Sequence, residues 1–169
     1  FIFAFPFILW EIWKFISPAL YEKEKKYAAS FIIISSILFF IGVLFGYYLI
    51  APLSVQFFAS YIVSPEISNS IDIDSYISLM KTSAIASGLL FELPIIIFFL
   101  TKIGLVTPEF LRKYRKYTLI IVLILSAVIT PPDVISQVIV AIPIMILYEA
   151  SILISVLVVK SQEKEKLKA

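Results

Sequence analysis

The chain contains no cysteine and no histidine, and only 15% of its 169 residues are charged. The first absence excludes disulfides and thiol nucleophiles; the two together exclude Cys/His zinc sites and imidazole acid–base chemistry. Glycine is also scarce, with four residues, and none forms a phosphate-cradling loop. No carboxylate cluster has metal-ligand spacing and no catalytic triad can be assembled, so the sequence predicts no enzyme, no cofactor and no metal. Nor does any feature point to nucleic acid. Internal repeats and linkers are likewise missing.

What fills the chain is apolar side chains: 61% of residues, with fifteen Phe and nine Tyr, giving a mean hydropathy of +1.03. Soluble domains carry about 25% charged and 45–50% apolar residues. The excess is too large for one small core, so the surrounding solvent must itself be apolar, with aromatic belts at its boundaries. The predicted class is all-α, a polytopic transmembrane helical bundle in a lipid bilayer.

Residues 1–13 are apolar but too short for about 30 Å of hydrocarbon, which needs roughly 20 helical residues. They lack a basic leader and a cleavage site, so residues 1–16 read as the end of a span whose beginning is missing. Residues 28–58 form a long span, tilted or with a tail bending at Pro52. Residues 75–100 form another, interrupted by Glu92 and Pro94. Residues 117–129 and 134–159 flank the turn Thr130-Pro131-Pro132-Asp133. The shorter of these two reaches only about 20 Å at 1.5 Å per residue.

Charge decides whether that short stretch crosses. Thirteen of the fourteen basic residues fall in residues 14–26, 102–116 and 160–168, whereas residues 59–74 hold Glu66, Asp72 and Asp74 and no cation. The positive-inside rule puts the three basic regions, 17–27, 101–116 and the tail 160–169, in the cytoplasm. An even number of crossings then separates Lys116 from Lys160, so 117–129 and 134–159 form a transmembrane hairpin. Residues 59–74 and the turn 130–133 lie on the opposite side. Two helices that barely span imply local thinning or shielding by protein, or simple tolerance of mismatch. Lys81, the one basic residue outside these regions, snorkels from its span.

Local chemistry is legible at several points. Ser17-Pro18 and Thr107-Pro108-Glu109 each read as an N-cap followed by proline at the first helical position. Prolines 131 and 132 stop one helix, and Asp133 caps the next. The tail alternates Lys and Glu and reads as a solvated, frayed end. Glu92 is the sharpest anomaly: a carboxylate at mid-span is costly and is a functional hypothesis by default. The plainer reading is a protonated acid satisfied at the kink made by Pro94. In the first basic loop, Leu20, Tyr21 and Glu24 share a helical face if the helix starts at Pro18.

Four separated motifs together resemble one family. Phe15 to Glu24, as F-I-x-P-A-L-Y-x-x-E, resembles the first cytoplasmic loop of TatC, the core receptor of the twin-arginine (Sec-independent) protein translocase. Phe91-Glu92-Leu93-Pro94 looks like its F-E-x-P; residues 104–112 match its second cytoplasmic loop; and Thr130-Pro131-Pro132-Asp133 with Ser136 and Gln137 matches T-P-P-D-x-x-S-Q. The resemblance implies a six-span fold, of which this chain covers the end of the second span through the sixth, in a bacterial or archaeal cytoplasmic (inner) membrane.

It also implies a receptor for twin-arginine signal peptides on folded cargo, driven by the proton-motive force and hydrolysing nothing. On that analogy Glu24 pairs with guanidinium groups, whose planar fork lysine cannot copy. Phe15, Pro18, Leu20 and Tyr21 lie in the same patch. The single-span subunits TatA and TatB would meet the last hairpin near Thr130 and Gln137, with Pro131, Pro132 and Asp133 forming the structural turn. Glu92 would offer an intramembrane polar site, and the protein would self-associate in a larger complex. The alternative class is a secondary transporter using Glu92 as a proton or ion site, although the inverted repeats usual in such proteins are not found.

Overall fold

A computed structural model describes residues 2–16, 28–60 and 72–166, all of them in helices or the short turns between helices, with no strand among the described residues. The helices are α1 (Phe5–Ile16), α2 (Ala28–Phe45), α3 (Ala51–Ser60), α4 (Ile73–Phe91), α5 (Leu93–Lys102), α6 (Pro108–Lys113), α7 (Arg115–Ile129) and α8 (Val134–Lys166), with a π-helical turn at Gly46–Ile50 joining α2 to α3. Among the described residues, three stretches are long and apolar enough to cross a membrane: Ser30–Ser60, Ile73–Lys102 and Val134–Lys164. Helix α7 has 15 residues and is about 22 Å long at 1.5 Å per residue, shorter than a usual span.

The outside of the bundle is as apolar as the inside. Ile33, Ile37, Ile41 and Leu44 are exposed along α2, Ile120, Ile124 and Val128 along α7, and Ile142, Ile146, Leu153 and Leu157 along α8. Contiguous exposed surfaces of this kind fit only an apolar surrounding. Among the described residues, those that are buried form four clusters rather than one core, centred on Phe39, Ile144, Ile152 and Trp13. With lipid outside, helices gain little by hiding apolar surface, and close packing with small or hydroxyl residues does the joining.

That rule is visible where α2 meets α4. A Cβ on Gly42 would stand 2.7 Å from the Ser87 carbonyl oxygen and 2.8 Å from the Gly88 Cα, and one on Gly46 would stand 2.7 Å from the Ala84 Cα. The two backbones therefore touch at both glycines. Phe39 lies over Gly88, fully buried and stacked on Phe5 at 3.6 Å between centroids. The long helix does not end at Pro52. Instead the Ala51 amide donates to the Gly46 carbonyl across a widened turn, which absorbs the hydrogen bond and the space that proline cannot share.

The break at Pro94 is sharper. Helix α4 stops at Phe91, Glu92 forms a turn, and α5 restarts with Pro94 at its second position. There its missing N–H costs nothing, and Ile95 and Ile96 donate to the Glu92 carbonyl at 2.9 and 3.0 Å. Helix α5 ends at Lys102, and two residues on Gly104, with a φ of +78°, suits the left-handed position that closes a helix C-terminus; Leu105 then donates to the Leu100 carbonyl at 2.9 Å. The Thr107 hydroxyl accepts from the Phe110 amide at 3.2 Å, so α6 carries the cap expected from Thr-Pro-Glu. The tail differs from expectation: α8 continues to Lys166, because the Gln162 amide donates to the Lys102 carbonyl at 2.9 Å and holds what the Lys/Glu alternation suggests would fray.

Candidate functional site

Three groups of side chains stand out. The first lies at the end of α1, where Phe15 is 87% exposed beside Lys14. The Lys14 ammonium reaches Glu11 at 2.7 Å and lies 5.8 Å from the centre of the Trp10 ring. Both partners are exposed, so the ion pair contributes little to stability. Phe15 is a large apolar ring with no cover from the described residues, one step from the first basic loop. Pro18, Leu20, Tyr21 and Glu24 lie outside the described residues.

The second group is centred on Glu92, which is 6% exposed at the α4–α5 break. The Ser35 hydroxyl of α2 donates to its Oε2. Its Oε1 is buried with no hydrogen-bond partner, as is the hydroxyl of Ser36. A carboxyl group can accept several hydrogen bonds, and one donor leaves half of it idle. Buried polar atoms are rarely left so. The site can therefore accept a hydrogen bond from a polar guest or water. Sequence reasoning misses Ser35; the adjacent Ser35-Ser36 pair inside an uncharged run is the available signal.

The third group is the turn between α7 and α8. Asp133 accepts from the Ser136 amide and hydroxyl, both at 2.9 Å. The backbone donor first, then the hydroxyl, holds its carboxyl below the usual carboxylate range. The Gln137 amide crosses the hairpin to the Leu123 carbonyl at 2.7 Å, and the buried Thr130 hydroxyl donates to the Ser126 carbonyl at 2.8 Å. Pro131 is buried and Pro132 exposed. The structure thus brings Thr130, Gln137 and Asp133 to one end of the hairpin, with Thr130 Oγ1, Gln137 Nε2 and Asp133 Oδ2 engaged within the chain. Glu92 lies apart, in a different contact.

Several long-range contacts are invisible to sequence reading, and α8 makes most of them. The Tyr148 hydroxyl donates to the Leu111 carbonyl at 2.7 Å, Thr101 and Ser155 hydroxyls meet at 2.9 Å, and Arg115 pairs with Glu149 at 2.7 Å. Together with Gln162 they clasp residues 101–115 against α8. Glu149, near the end of its span, has a specific cation.

Strongly apolar helices of spanning length, lipid-suited exteriors and basic connecting segments define a multi-pass α-helical membrane protein. The sequence matches the family described as "Sec-independent protein translocase protein (TatC)" over residues 1–143, and the chain belongs to that family. It is 46% identical over 162 residues to the TatC protein of Blattabacterium, covering 96% of this chain and 61% of the relative. Against TatC of Halalkalibacterium halodurans the figures are 39% over 169 residues, 99% and 67%. The fold matches a solved structure described as "Twin Arginine Translocase Receptor- TatC", with a TM-score of 0.74 and 39% identity over 94% of this chain and 70% of that one. The chain spans about three fifths of the length of the first curated relatives it matches. Membership in a protein translocase family and the helical membrane fold agree with the sequence-based expectation.

Proposed function

We propose that this protein acts as the membrane receptor and scaffold of a twin-arginine translocase, binding twin-arginine signal peptides of folded proteins and performing no turnover chemistry. The observation that carries the reading is the placement of Phe15. In a chain of the TatC family, it projects uncovered from the end of α1, as the first residue of the motif that ends in Glu24. In this reading the basic segments face the cytoplasm, Glu24 accepts the guanidinium forks, and Phe15, Pro18, Leu20 and Tyr21 make the apolar shelf beside it. Bidentate carboxylate pairing explains why two arginines rather than two lysines are read.

The hairpin turn is the proposed meeting place for TatA and TatB. Thr130 and Gln137 hold its shape through their internal hydrogen bonds, and Pro131, Pro132 and Asp133 set its end. The partners supply the conduit, the proton-motive force supplies the drive, and copies of the receptor assemble in the same complex. The test is a photo-crosslinker at Leu20 in the full-length membrane protein. A twin-arginine precursor is captured, and its Lys-Lys counterpart far less. Equal capture of the two rejects the role of Glu24.

A second reading rests on the unpartnered Oε1 of Glu92, which suits a proton or ion site of a secondary transporter. It requires solute or ion flux in liposomes by this protein alone, abolished by Glu92→Gln. Absence of flux leaves Glu92 as a polar site for a partner or an inserted signal.

A further inference from the structure

Helix α1 ends at Ile16 and α2 begins at Ala28, so the first basic segment, with Glu24 in it, is a connection between two neighbouring helices. What joins its two ends is a cluster of three aromatic rings. Trp13 of α1 lies 5.1 Å from Phe31 of α2, centroid to centroid, although the two are 18 positions apart in the chain. Phe99 of α5 meets both, at 6.0 Å from Trp13 and at 4.7 Å, edge on, from Phe31. Trp13 and Phe31 are buried, with Ile32 and Ile95 packed against them. All three spacings lie in the range over which ring pairs attract.

The end of α1 is divided by face. Trp13 is turned into the bundle, whereas Lys14 and Phe15 beside it are exposed. The ring that begins the recognition motif is thus two residues from the ring that anchors it. On the far side of the segment, Phe31 is the fourth residue of α2. Phe99 lies three residues before Lys102, the last residue of α5, whose ammonium is 6.0 Å from the neighbouring Phe98 ring. One cluster therefore holds the two ends of the first basic segment and the start of the second. Another ring contact between α1 and α2, Phe5 on Phe39, lies eight residues further along α2, about 12 Å away at 1.5 Å per residue.

We propose that Trp13, Phe31 and Phe99 are positioning residues for signal-peptide recognition, forming a clamp at the stem of the first basic segment; this rests on the receptor reading above. The physical reason is preorganisation. Bringing together the ends of a connection costs conformational entropy, and a segment whose ends are already fixed loses less freedom when it binds. The rings are buried, so they act through the segment they hold. A two-pronged guanidinium contact needs its carboxylate aligned, whereas an ammonium is a point charge with no plane to match. A loosened stem therefore weakens the reading of arginine more than that of lysine.

The test measures the affinity of the full-length protein for a twin-arginine signal peptide and for its Lys-Lys counterpart. Trp13→Ala and Phe99→Ala each weaken the twin-arginine peptide about tenfold, the scale of one or two ring contacts, and narrow its advantage over Lys-Lys. Trp13→Phe keeps most of both. Phe39→Ala, which removes a fully buried ring further along α2, lowers the melting temperature and leaves both affinities as in the wild type. A fluorotryptophan label supplies a readout in the wild type, independent of how the alanine variants fold. The fluorine resonance lost in Trp13→Phe belongs to Trp13, and it shifts as the twin-arginine peptide saturates the protein. Unchanged affinities in Trp13→Ala and Phe99→Ala, an equal loss in Phe39→Ala, or a Trp13 resonance that stays in place at saturation overturns the clamp and leaves the receptor reading intact. A wild type that binds neither peptide, or both alike, overturns the receptor reading and the clamp with it.

Discussion

The α2–α4 contact and the α7–α8 contact join helices of similarly apolar sequence by opposite means. In the first, Gly42 and Gly46 let two backbones touch, and the polar atoms nearby are under-used, with Glu92 Oε1 and the Ser36 hydroxyl unpartnered. In the second, the backbones stand further apart with an open groove between them, and side chains reach across: Gln137 at one end and Arg115–Glu149 at the other. One contact is held through shape and keeps an unpartnered polar atom of Glu92 beside it. The other is spanned by polar ties at its ends and leaves an apolar seat in the middle. In a bilayer, apolar burial barely distinguishes neighbours from lipid. There the first way of joining helices suits the holding of a site, and the second suits the receiving of a partner.

The comparison can be broken most forcefully at the glycines. Gly42→Val forces side-chain atoms into the Ser87 carbonyl and the Gly88 Cα and has no flexible neighbour to move; it lowers stability by about 3 kcal/mol or more, read as the unfolding free energy in mixed detergent. An equally large change placed on the exposed face, Ile142→Trp, changes stability by less than about 0.5 kcal/mol. If the two variants are alike, the close backbone approach is not what holds α2 to α4.

Next in size is the Ser35–Glu92 pair. Ser35→Ala leaves a buried carboxyl group without its donor and costs about 1–3 kcal/mol, whereas the double variant Ser35→Ala with Glu92→Leu is close to neutral, since removing both partners removes the desolvation cost. The same unfolding assay measures both. A double variant as unstable as the single one means that Glu92 is held by contacts other than Ser35. Export activity separates the roles further: Glu92→Leu that folds well yet fails to export marks the group as functional.

At the hairpin the effects shrink. Gln137→Leu removes one cross-helix hydrogen bond, worth about 0.6 kcal/mol on average in membranes, and the loss is read in the same assay. The smallest effect belongs to Asp133→Asn. The carboxyl of Asp133 titrates below its usual range because Ser136 donates to it twice. A lowered native value stabilises the folded state at pH above the unfolded value of about 3.9, and the contribution is lost as pH falls through the native value. The difference in melting temperature between the wild type and Asp133→Asn is therefore constant at neutral pH, begins to shrink in acid below about pH 4 and disappears once the pH is below the lowered native value. A difference that persists there points to the cap geometry rather than the charge.

How much of this is readable from sequence follows the range of each interaction. The helices, the break at Glu92-Leu93-Pro94, the Thr107 cap and the Asp133 cap depend on neighbours within four residues, and hydropathy, proline and capping chemistry locate them directly. The widened turn at Gly46–Ile50 is half legible: Pro52 announces a disturbance, but whether the helix bends or absorbs it depends on α4 lying against Gly46. Tyr148 to Leu111, Gln162 to Lys102 and Ser35 to Glu92 join residues 37, 60 and 57 positions apart. No local pattern distinguishes Gln162 on a docked helix from Gln162 on a frayed tail, and so the end of α8 departs from expectation. The groove is invisible for the same reason, being made of two faces that meet only in the fold.

Arginine recognition by Glu24 is the central claim, and a binding cycle tests it most directly. Affinities of the full-length protein and its Glu24→Gln variant are measured for a twin-arginine signal peptide and for the same peptide with both arginines changed to lysine. The wild type loses at least about tenfold in affinity on the arginine-to-lysine change, equal to about 1.4 kcal/mol, and Glu24→Gln abolishes most of that difference, giving a coupling between the two sites. The same discrimination between the peptides in the wild type and in Glu24→Gln would contradict the claim.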